Sequence, residues 1–121
     1  WNRYETSCSV HQPNLEDGAF SGGGPQSLAL ARIEAHYFNN GMFLDDGHLL
    51  QNITKIQDLP AVIVQGRYDM ICPIVTADKL AALWPGAEYV IVPDAGHSAM
   101  EPGIRTALIE ATERLKARIG R

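Results

Sequence analysis

Basic runs are missing from this sequence. No Lys or Arg stands beside another, and the chain carries a formal net charge of -4, from 10 basic and 14 acidic residues. Nothing here supplies the positive footprint that a phosphate backbone requires, so nucleic acid is not an expected partner. Long apolar runs are missing as well: Ala61–Val64 and Val90–Val92 fall far short of the roughly 20 residues that cross a bilayer, so no membrane helix is expected. Cysteine is sparse. Cys8 and Cys72 lie far apart without CxxC spacing, which argues against a metal cluster or a disulfide framework and for two free thiols. His11, His36 and His48 show no metal-ligand spacing either, and no metal or other cofactor is expected.

What remains is ordinary for a globular chain. Of 121 residues, 45% are hydrophobic and 20% charged, enough apolar material for one core. The first residue is Trp1 rather than Met, and Trp1-Asn2-Arg3-Tyr4-Glu5 reads as a piece of an element already under way. A truncated chain is therefore the expectation. A cytoplasmic location is expected too, subject to any targeting segment ahead of Trp1.

One change of pattern divides the chain, near Asp58-Leu59-Pro60. Before it, residues 12–25 are rich in Gly, Pro, Asn and Asp and favour an exposed loop. Its glycines do not make a phosphate cradle, because no Gly-Lys-Ser/Thr follows and no strand precedes. Apolar residues at three- and four-residue spacing then predict a helix over Ser27–Asn39, with Ser27 as N-cap and Gly41 beyond its end. Asp46 offers a cap for a second helix reaching Ile53 or Ile56, with Leu49, Leu50 and Ile53 on one face.

After the division, Ala61–Gln65 is a short apolar run closed by Gly66, as expected of a strand buried on both faces of a parallel sheet. A helix follows over Thr76–Trp84, stopped by Pro85-Gly86, and a second strand over Tyr89–Val92. A last helix starts near Pro102 and carries Ile104, Leu108, Ala111, Leu115 and Ile119 as a stripe that should pack on the sheet. The order strand, helix, strand, helix predicts an α/β unit. Its right-handed crossover puts both strand ends on one edge, where open α/β sheets bind ligands.

Those two strand ends carry the chemistry. Asp69 follows the first and Asp94-Ala95-Gly96-His97 follows the second, which places an acid and an imidazole 28 residues apart on neighbouring loops. That interval fits a loop, a crossover helix, a strand and a turn, so the two side chains can meet. A carboxylate on one ring nitrogen fixes the tautomer and stabilises the imidazolium formed when the other takes a nucleophile's proton. Asp69 would orient and His97 would act as base. Each residue alone has a blander reading, a turn cap and a loop histidine; their pairing on adjacent strand ends is what favours chemistry. The third member of such a triad sits in the elbow G-x-S-x-G, and no serine of these 121 residues has that surrounding.

Pro60–Asp69 and Ile91–Ser98, with Gly-Arg-Tyr-Asp, Cys72-Pro73, Trp84-Pro85 and Asp-Ala-Gly-His-Ser, resemble the acid and histidine segments of the proline iminopeptidases, a branch of the α/β-hydrolases. The likeness extends upstream: Ala31-Arg32-Ile33-Glu34 with His36-Tyr37-Phe38, and Trp1–Glu5, are similar to segments of that family's helical cap. The resemblance implies the C-terminal part of an α/β-hydrolase, with residues 1–58 as a cap-domain segment returning to the core and 59–121 as the end of the core. It implies a serine aminopeptidase that releases N-terminal proline from peptides without a metal, with Glu5 and Glu34 holding the free amine. Lacking its nucleophile, this piece should be inactive alone, and its uncovered sheet should make it self-associate. Two other readings stay open: an α/β-hydrolase of different reaction, such as an esterase or epoxide hydrolase, and a non-catalytic interaction module.

Overall fold

A computed structural model of the chain describes residues 2–12 and 24–120. Trp1 and most of the Gly- and Pro-rich stretch expected to be a loop lie outside the described residues.

Helix α1 spans Asn2–Cys8 and α2 spans Pro25–Asn39. The second starts earlier than its apolar spacing predicts. Gly24, not Ser27, is the N-cap, and Pro25 occupies the first turn, where its fixed φ suits a helix and its missing N–H costs nothing. At the other end the Asn40 side chain donates to the His36 carbonyl at 2.7 Å, and the chain leaves the helix into a tight turn over Gly41–Phe43. The long helix expected from Asp46 onward is not formed. Only one turn, α3 at His48–Gln51, follows Gly47, and a separate turn covers Ile53–Lys55. Asn52 explains the break: its side-chain amide donates to the His48 carbonyl at 2.7 Å, an alternative to the helix ladder that Asn offers readily. The expected apolar face splits accordingly, with Ile53 buried and Leu49 largely exposed.

Strand β1 runs Ala61–Gly66, helix α4 runs Ile74–Leu83, strand β2 runs Ala87–Val92 and helix α5 runs Pro102–Ile119. The strands pair in parallel, from Ala61 opposite Ala87 to Gly66 opposite Val92, with α4 as the crossover. Helix α4 begins two residues before the expected Thr76, because Pro73 in extended conformation sets its start and accepts the Thr76 N–H at 2.9 Å.

Val92, Ala95 and Ile104 form the buried core, with Val64 and Ala107 packed against it. The expectation of a strand buried on both faces holds only at the end of β1: Gln65 and Gly66 are buried, whereas Ala61–Val64 are half-buried. Among the described residues α4 and α5 are the helices that pack most closely on the strands. The α5 stripe is engaged unevenly too, since Ile104 and Ala111 are buried but Leu108 and Ile119 are exposed. Helix α2 has no buried residue at all. Among the described residues no helix is long and apolar enough to cross a membrane.

Candidate active site

The loops leaving β1 and β2 are stitched to each other before any side chain contributes. Arg67 N–H donates to the Val92 carbonyl and Tyr68 N–H to the Ala95 carbonyl, both at 2.9 Å. The approach is so close that a Cβ on Gly66 would run into the carbonyl oxygens of Gly96 and Ala95. Glycine at position 66 is what lets the two loops touch.

Asp69 and His97 meet across this seam. Asp69 Oδ2 lies 3.0 Å from His97 Nδ1, with the acid side chain 7% exposed and the imidazole 39% exposed. The other carboxylate oxygen accepts the N–H groups of Ile71 at 3.0 Å and Cys72 at 2.7 Å, and Oδ2 also accepts the Gln65 side-chain amide at 3.3 Å. A carboxylate is an acceptor only, so the ring proton belongs on Nδ1 and the second ring nitrogen is left to act on something else.

The histidine loop is held from the N-terminal side of the chain. The Ser9 carbonyl accepts both the His97 N–H at 2.8 Å and the Ser98 N–H at 2.7 Å. Glu101 accepts the Gly96 N–H at 2.6 Å on one oxygen and the His11 N–H at 2.9 Å on the other. His11 itself stacks on Tyr68, ring centroids 4.2 Å apart.

Glu5 on α1 and Glu34 on α2 come together as well. Their carboxyl groups are hydrogen-bonded to each other, and partial burial pushes the Glu5 carboxyl above its usual range, helped by the charge and hydrogen bond of Glu34 and opposed by His97. A neighbouring carboxylate disfavours the charged form of Glu5. Glu5 thus senses both Glu34 and His97, so the four residues singled out in the sequence gather in one region. Burial, with the Asp69 carboxylate adding to it, also raises the Cys72 thiol, which leaves it a weak nucleophile.

Three groups at the site escaped the sequence reading. Gln65 had a signal, a polar residue at the end of an otherwise apolar strand. Ser9 contributes through its main chain, and Glu101 reaches a partner 90 positions away, so neither leaves a local trace. Among the described residues no group of three His, Cys, Asp or Glu is arranged to hold a metal ion.

A pair of this geometry at parallel strand ends can move a proton to and from a nucleophile. A family model described as alpha/beta hydrolase fold matches residues 20–103. The chain belongs to the α/β-hydrolase fold family. Within that family it is similar to proline iminopeptidases over nearly its whole length. It is 49% identical to the proline iminopeptidase of Arabidopsis thaliana over 121 residues, covering 99% of this chain and 32% of that protein. Against the probable proline iminopeptidase of Leptolyngbya boryana it is 55% identical, covering 97% and 37%. Against the proline iminopeptidase of Neisseria gonorrhoeae it is 47% identical, covering 98% and 37%. The chain spans about a third of the length of these curated relatives. Helices followed by a two-stranded parallel sheet are consistent with part of an α/β-hydrolase.

Proposed function

We propose that this chain supplies the acid, the base and the amine contacts of a proline iminopeptidase, a serine hydrolase that releases N-terminal proline from peptides. The observation that carries the reading is the 3.0 Å contact of Asp69 with His97 beside the paired carboxyl groups of Glu5 and Glu34. His97 takes the proton of a serine hydroxyl on its outer ring nitrogen as that oxygen attacks the prolyl carbonyl, then returns it to the departing amine; water later frees the acyl group by the same route. Asp69 holds the ring and stabilises the imidazolium. The serine lies outside these 121 residues, none of which sits in a G-x-S-x-G elbow, and without it they are inactive.

Glu5 and Glu34 give the enzyme its preference for a chain end. An N-terminal proline brings a protonated secondary amine, whereas an internal proline is an uncharged tertiary amide that would leave two carboxylates facing each other uncompensated. On this reading residues 1–58 are cap and 59–121 are core, and the protein works in the cytoplasm. The same acid and base would serve an esterase or epoxide hydrolase, but such a substrate offers nothing for a pair of carboxylates to bind.

The full-length protein is the material for the test. It should release free proline from a Pro-X dipeptide and leave the N-acetylated dipeptide intact. Hydrolysis of both at similar rates, or of simple esters alone, would remove the aminopeptidase reading.

A further inference from the structure

Glu101 stands outside the acid–base pair, yet it joins two segments that both matter to the chemistry proposed above. One carboxylate oxygen takes the N–H of Gly96, the neighbour of His97; the other takes the N–H of His11, which lies just past α1, the helix that bears Glu5. The contact is returned from the opposite side, where the Ser9 carbonyl receives the N–H groups of His97 and Ser98. Ser9 is in turn tied to α1, its hydroxyl donating to the Glu5 carbonyl at 2.9 Å. There is no slack between the two segments: a Cβ on Gly96 would stand 2.9 Å from the His11 nitrogen and 3.1 Å from the Ser9 oxygen.

We infer that Glu101 is a positioning residue that clamps the α1 exit segment to the histidine loop and so sets the spacing between amine recognition at Glu5 and proton transfer at His97. A carboxylate suits the task because it offers two acceptors and no donor, and bonds from N–H groups to an ionised acceptor are the stronger kind. Glutamine in its place would turn an NH2 group toward one of the two backbone N–H donors, breaking one arm of the clamp. The inference rests on the roles proposed for Glu5 and His97, but the clamp itself is observable without them.

Two measurements on the full-length protein decide it. Hydrogen exchange should find the Gly96 and His11 amides protected in the wild type, and Glu101→Ala, which removes both arms, should speed exchange at 9–11 and 96–98 together, by about tenfold or more. Wild-type exchange at either amide as fast as in an unstructured chain, or a variant that loosens one segment alone, would overturn the clamp.

Kinetics read its consequence. Per titrated active site, Glu101→Gln should lower kcat about tenfold on both a prolyl amide and a simple ester, and raise KM only for the prolyl amide, whose amine must reach Glu5. Fewer active sites with unchanged kcat and KM per site would mean that Glu101 merely stabilises the fold, which would also overturn the inference. A wild type that hydrolyses neither substrate would remove the proposed reaction instead, and the exchange result would still decide the clamp.

Discussion

The carboxyl groups of Glu5 and Glu34, on two different helices, are hydrogen-bonded to each other. Burial and the neighbouring Glu34 raise the Glu5 carboxyl above its ordinary range. On the proposed reading, the protonated amine of an N-terminal proline is the cation this contact would accept.

Glu34→Gln in the full-length protein should therefore weaken turnover of N-terminal proline substrates by about 10–100-fold, the scale of one charged hydrogen bond. Hydrolysis of an ester without an amine should change little. Steady-state kinetics on the two substrates checks this, and equal losses on both would count against an amine contact.

Stability carries a second signature of the same pair. Glu5 holds its proton more tightly in the folded protein than in the unfolded chain, so its contribution is fully present below the ordinary glutamate value of about 4.3 and is lost as pH rises through the raised value. Above that range an ionised Glu5 faces Glu34. Glu5→Gln should remove this loss, so the Tm of the variant minus that of the wild type should grow as pH is raised from the acid side. A difference that stays flat with pH would mean Glu5 titrates alike in the folded and unfolded chains.

Asp69→Asn keeps the shape of the acid but supplies a donor where His97 needs an acceptor. The wrong tautomer then faces the nucleophile, and kcat should fall by about ten-thousandfold with the fold intact. Circular dichroism and Tm alongside the rate would separate lost chemistry from lost structure; a loss below tenfold would deny Asp69 its role.

Gly66→Ala tests the seam between the strand ends. The added methyl meets the carbonyls of Gly96 and Ala95, and overpacking of this kind costs about 1–3 kcal/mol. Urea unfolding should show the lower midpoint, and the displaced histidine loop should reduce turnover as well.

These 121 residues taken by themselves should self-associate. Leu28, Ile33 and Phe38 on α2 and Ile109 and Ile119 on α5 are each more than half exposed, and large apolar side chains grouped on a helix favour association. Light scattering after size exclusion checks this, and a stable monomer at high concentration would mean that the uncovered faces are tolerated.

The strands and the meeting of Asp69 with His97 were legible because each rests on a local signal. Ala61–Gln65 and Tyr89–Val92 are β-branched and apolar, and a parallel crossover brings the loops at their C-terminal ends to one edge. Helix α5 announced itself at Pro102. Boundaries were harder where a side chain competes with the backbone: nothing in the apolar spacing of 46–56 foretells that Asn52 will bond to His48 and end α3 after one turn. The burial expected for β1 also failed in part, since apolar composition states what a strand could bury and not what lies against it. Glu101 was illegible for a different reason. It precedes a proline at a helix start, like many glutamates, and only the folded chain brings it to Gly96 and His11.

The unequal exposure of Asp69 and His97 has one more consequence. With its acid enclosed and its own backbone N–H already given to Ser9, His97 is the member of the pair that faces the medium. On the proposed reading, whatever occupies that exposed side, substrate or water, is what the ring can exchange a proton with.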